Sequence, residues 1–188
     1  MKQLLISVLT ILSLHSAFSQ KDIKKTIVND IVKTFKWDIQ KEKRGTLMFL
    51  DVPYGGQGKG NTEYLSLTVA KDNSNKRPEF ISIIVTNKVV QSKGLFVNFG
   101  NTVIKDGKRT IELQKDKPIN VIFEKCDDEI CTARILNGYI TSDNGDKVDI
   151  FQQFQTFDHV FFEFTNSDYS IVSVAVPLFS FKQQYKNL

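Results

Sequence analysis

Residues 64–70, Tyr-Leu-Ser-Leu-Thr-Val-Ala, alternate in side-chain character with a period of two. Successive side chains of a β-strand point to opposite faces, so this stretch predicts a strand with one buried face. Working outward, residues 46–52 (TLMFLDV) and 80–86 (FISIIVT) read as further strands, the second rich in β-branched residues. Between them lie the polar, loop-like segments 53–61 (PYGGQGKGN) and 72–78. Residues 94–99 (GLFVNF), 103–105 and 108–113 continue the pattern, with Asp106-Gly107 between the last two. That dipeptide signals a type I′ hairpin, because both central residues must accept positive φ.

Residues 119–125 and 132–136 flank Cys126 and Cys131 and predict a hairpin with the cysteines at its tip. Asn144-Gly145 marks another turn. The last strands are 160–164 (VFFEF) and 170–176 (SIVSVAV), and residues 179–188, after Pro177, predict a short helical tail. Many short strands at regular spacing define an all-β sandwich over residues 37–188, with short helical segments near the N- and C-terminal ends. There is no repeat, heptad run or low-complexity tract, and one domain of this length buries an adequate core.

The N-terminal residues are of a different kind. Lys2 supplies a positive start, residues 4–14 form an apolar run, and Ala17-Phe18-Ser19 ends it with small residues at two key positions. This layout predicts a secretory signal peptide over residues 1–20. The run is well short of the roughly 20 residues that cross a bilayer as a helix. No cysteine follows the cleavage site to take a lipid anchor. Residues 21–36 then read as a helical leader: Ile23, Ile27, Ile31 and Phe35 recur at helical spacing. Its apolar stripe is expected to pack on the domain, the alternative being a weak peripheral contact of residues 22–35 with an anionic membrane surface.

An exported chain meets an oxidising compartment, where two cysteines and no third predict one disulfide, Cys126 to Cys131. Closing so short a loop contributes only about 2 kcal/mol in the chain-entropy model. The full chain's formal charge is +4, and removing residues 1–20 lowers it by the one charge of Lys2. That is too weak and dispersed for a nucleic-acid partner.

The motifs that might carry chemistry each have a plainer reading. Residues 55–60 (GGQGKG) lack the Ser or Thr after lysine that a phosphate-binding loop needs, so they read as a flexible loop. His159 is the only histidine after residue 20. With no nucleophile elbow in the chain, it reads as a surface or packed histidine. Asp127, Asp128 and Glu129 read as an exposed acidic loop tip rather than a cation site. No catalytic, cofactor-binding or metal residue is assigned, and no cofactor is expected. The phenylalanines at 151, 154, 157, 161, 162, 164, 179 and 181 are expected to fill the space between sheets. Phe161 and Phe162 must face opposite ways, and an exposed member of that pair is a candidate interaction site.

Residues 94–100 (GLFVNFG), 119–126 (INVIFEKC) and 131–135 (CTARI) resemble the invasion associated locus B family of exported bacterial proteins. In that family a "G-L-x-L-x-V-D-x-G" strand precedes a paired-cysteine element that Cys126, Cys131 and Ala133 match. The tail from Val176 to Phe181, followed by Tyr185, is similar to the family's closing pattern, and Trp37 matches a tryptophan near the domain's start. The chain departs from the pattern at Ile130 and Ser180, where the family has glycine, and it lacks an early second cysteine pair. Residues 139–148 read as an insertion. The resemblance implies an immunoglobulin-like β-sandwich in the periplasm or at the cell surface, with an association with host-cell invasion and no catalytic mechanism.

The resulting expectation is a non-enzymatic envelope protein that binds a macromolecular or envelope partner. The alternatives are a periplasmic carrier of a small apolar ligand within the aromatic core, and a hydrolase using acids scattered through the loops.

Overall fold

A computed structural model describes residues 35–54, 63–75, 77–86, 88–114, 118–142 and 145–188. The body they form begins at Phe35, just ahead of the boundary expected at Trp37. The readings of residues 1–20 as a signal peptide and of 22–34 as an amphipathic helix lie outside the described residues. So does the glycine loop at 55–60.

The strands are β1 (Asp38–Lys41), β2 (Gly45–Tyr54), β3 (Glu63–Asp72), β4 (Phe80–Val85), β5 (Leu95–Lys105), β6 (Lys108–Leu113), β7 (Ile119–Val121), β8 (Phe123–Cys126), β9 (Cys131–Leu136), β10 (Tyr139–Thr141), β11 (Lys147–Asp149), β12 (His159–Thr165) and β13 (Ile171–Pro177). Among the described residues two α-helices accompany them, α1 (Ile150–Thr156) and α2 (Phe179–Gln184), with short 3-10 turns at Gln91–Lys93 and Tyr185–Asn187. One sheet has the order β1-β2-β3-β4-β9-β8 and the second β13-β12-β5-β6, with β7 also paired to β5; β10 and β11 form a separate hairpin. Every pairing among the described residues is antiparallel. The all-β sandwich with short helices is the fold.

Period-two alternation builds its core. Met48, Leu50 and Val52 of β2 are buried with Leu65, Leu67 and Val69 of β3 and Ile81, Ile83 and Val85 of β4. From the second sheet come Leu95, Val97 and Phe99 of β5 and Val160, Phe162 and Phe164 of β12. Each such side chain contributes roughly 1.5–3 kcal/mol when fully buried.

Four local features differ from the sequence reading. Residues 94–99 and 103–105 belong to one strand, because Gly100 continues β5 rather than breaking it. A side chain there would meet the Glu112 carbonyl oxygen at 2.9 Å, so glycine is what lets β6 approach. Residues 119–125 are not one strand either: the chain leaves the second sheet after Val121, passes through Ile122, and enters the first sheet at Phe123. Asn137-Gly138, with φ of 53° and 67°, makes an unforeseen turn between β9 and β10. Finally, α1 was not foreseen. Asp149 caps it by accepting a hydrogen bond from the Gln152 amide at 3.1 Å, and Ile150, Phe151 and Phe154 are its buried side.

The aromatic residues therefore divide. Phe162 and Phe164 lie in the strand core, whereas Phe154 and Phe181 come from the helices. Phe181 stacks edge-on to Trp37 and to Phe154, each at 5.1 Å between centroids, and meets Tyr185 at 5.3 Å. Ser180 donates to the Phe35 carbonyl oxygen at 2.6 Å, tying the tail to the start of the domain.

Candidate functional site

The cysteines are bonded. Cys126 and Cys131 are direct cross-strand partners in β8 and β9, with Cα atoms 4.1 Å apart. This matches the close, non-hydrogen-bonded pairing of an antiparallel ladder. In the tip, the Asp127 carboxylate accepts from the amides of Glu129 at 2.9 Å and Ile130 at 2.8 Å. Those two hydrogen bonds, Ile130 first, hold its pKa below the ordinary carboxylate range. The acidic tip thus spends Asp127 on its own turn.

His159 is packed, with 7% of its surface exposed. Its ring lies 6.0 Å from Phe179 and 6.3 Å from Phe161. Burial lowers its pKa, Asp158 opposing and Arg109 and Lys182 adding to the effect. A buried ring between aromatic side chains fills space. Asp158 beside it is a clip: its carboxylate accepts from the Thr102 amide at 3.2 Å and meets Lys182 of α2 at 3.4 Å.

A polar cluster lies where the loop before β4 meets α1. Arg77 donates to the Tyr139 hydroxyl at 2.7 Å and to Asp149 at 2.8 Å, with its guanidinium 4.3 Å over the Tyr139 ring. The open groove beside it is lined by Asn75, Arg77, Glu79, Phe80, Leu136 and Asn137 among others. Its lining is mixed, with Pro78, Phe80 and Leu136 beside the polar and charged side chains. Among the described residues no group of three His, Cys, Asp or Glu side chains is placed to hold a metal ion, and no helix is long and apolar enough to cross a membrane.

The surface that stands out is on the outer face of the second sheet. β12 stops pairing with β5 at the His159–Gly100 pair, yet β5 runs on to Lys105 with β6 as its only strand partner among the described residues. Residues 101–113 therefore project as a two-stranded arm. Asp106 and Gly107, at φ of 52° and 71°, form its tip, as the dipeptide predicted. Ile104 is 57% exposed, Ile111 41% and Leu113 49%. Strand parity puts all three on one face. At the arm's base a side chain on Gly100 would touch both Ile111 and Phe161, so Phe161, half-buried, continues the same apolar surface. Of the adjacent phenylalanines, Phe162 is the buried one.

The sequence reading named Phe161 in this region and missed the isoleucines. Their alternation resembles that of core strands, and only the early end of β12 leaves them uncovered. No family model, curated protein or solved structure matches the chain.

Proposed function

We propose that this chain is an exported, non-enzymatic envelope protein of the invasion associated locus B type, acting by binding a macromolecular or envelope partner. The observation that carries the reading is the exposed apolar face of the arm, Ile104, Ile111 and Leu113 continuing to Phe161. Apolar side chains held together on one face of a sheet, away from the core, are what a docking surface requires. Export is supported by the signal-peptide layout of residues 1–20 and by the Cys126–Cys131 bond. The family reading is supported by the paired-cysteine hairpin and by the tail that packs on Trp37.

The test pairs localisation with binding. Fractionation of cells expressing the full chain should place a processed form, beginning near residue 20, in the periplasm or at the surface. That form should bind isolated envelope, and Ile104→Asp with Ile111→Asp should abolish binding while leaving the circular dichroism unchanged. Unprocessed cytoplasmic protein, or a variant that binds as well as the native chain, would sink the reading.

A further inference from the structure

We propose that the arm pairs with a second copy of this chain, β6 against β6 in antiparallel register about Thr110. β6 is an edge strand, exposed at all six positions, and no described strand other than β5 pairs with it. The amide of Gln114 donates to the Phe99 carbonyl oxygen at 2.7 Å. Hydrogen-bonding direction alternates along a strand, so Lys108, Thr110 and Glu112 turn their backbone groups toward β5. Arg109, Ile111 and Leu113 turn theirs outward, as a template for another strand.

Charge selects the occupant and the register. Lys108 and Glu112 lie equally far on either side of Thr110. Pairing about Thr110 sets Lys108 of each copy opposite Glu112 of the other, on one face, twice. It also places Arg109 opposite Ile111 of the second copy, where the arginine stem covers apolar surface. Glu112 already lies 3.7 Å from Lys105 of its own arm, so in the pair one carboxylate answers two ammonium groups. Lys108 and Arg109 deter an arbitrary strand from this edge; a strand that offers glutamate at the matching position is exempt. The arm has a need for such a neighbour, because a two-stranded ribbon is only marginally stable by itself in water. The joined sheet would run β13-β12-β5-β6 and back through the second copy in reverse.

The engineered cysteine Thr110→Cys tests the register directly, since both native cysteines are already bonded. At the two-fold, the non-hydrogen-bonded position brings like residues to about 4.5 Å between Cα atoms, within disulfide reach. Thr110→Cys should therefore oxidise to a covalent dimer much faster than Ile111→Cys. Sedimentation of the native residue 21–188 chain should show a concentration-dependent dimer. Lys108→Glu or Glu112→Lys alone should weaken it roughly tenfold, and the two together should restore it. A chain that stays monomeric across the micromolar range overturns the proposal, as does faster oxidation of Ile111→Cys or a double exchange that fails to rescue. An arm that binds anionic vesicles without self-associating also overturns it, while leaving the binding role of the apolar face intact.

Discussion

The guanidinium of Arg77 meets the carboxylate of Asp149 at 2.8 Å, and the same carboxylate caps helix α1 through the Gln152 amide. One acidic side chain thus fixes a loop, a helix start and, through Arg77, the ring of Tyr139. Asp149→Ala should cost about 1–2 kcal/mol in urea unfolding at neutral pH. Asp149→Asn, which still caps, should cost less. Burial acts to raise the Asp149 pKa, but the hydrogen bonds from Arg77 and Gln152 outweigh it and the net shift is downward. Its charge contribution is then complete above the unfolded value of about 3.9 and is lost as pH falls through the folded value. The native chain's advantage over Asp149→Asn should shrink accordingly in acid.

Burial of His159 produces a titration of the same sign at higher pH. Its folded pKa is lowered, while the unfolded chain takes a proton near pH 6.5, about the ordinary value. Stability should be fully present above that pH and decline as the solution is acidified toward the folded pKa. His159→Gln should flatten the slope of unfolding free energy against pH between the lowered folded pKa and about 6.5. An unchanged slope would mean that His159 is not the group responsible.

Gly138 has a positive φ of 67°, and a side chain there would collide with the Phe151 ring. Gly138→Ala should lower stability by about 3 kcal/mol, a fall in Tm of roughly 5–10 °C. Gly107, at φ 71° with open space around it, is the control. Gly107→Ala should cost only the conformational part, about 1–2 kcal/mol.

The Cys126–Cys131 bond closes a short loop within one hairpin. Reduction, or Cys126→Ser with Cys131→Ala, should cost about 2 kcal/mol and leave the fold in place. Urea midpoints with and without reductant measure it. A thiol assay on the protein purified without reductant should find both cysteines blocked.

Strands 46–52, 64–70 and 80–86 were legible because each has one face in the core, and burial writes a period of two into the side chains. Asp106-Gly107 was legible because its requirement is local. Helix α1 was partly legible: Asp149 followed by Ile150, Phe151 and Phe154 is a cap and an apolar helix face, hidden within a run of phenylalanines. The crossing at Ile122 was not legible, since which sheet a strand joins depends on partners far away in the chain. Nor was the exposure of Ile104 and Ile111. Their pattern is that of buried strands, and the deciding fact is that β12 pairs no further along β5 than Gly100.

The passage through Ile122 has a mechanical meaning. A three-residue strand grips β5 in one layer, and one residue later the same backbone grips β9 in the other. The two layers are thus stitched by a nearly taut thread instead of a slack loop. A force that tries to open them like the covers of a book must first unzip β7 or β8, and the disulfide just beyond stops the second tear from running into the hairpin.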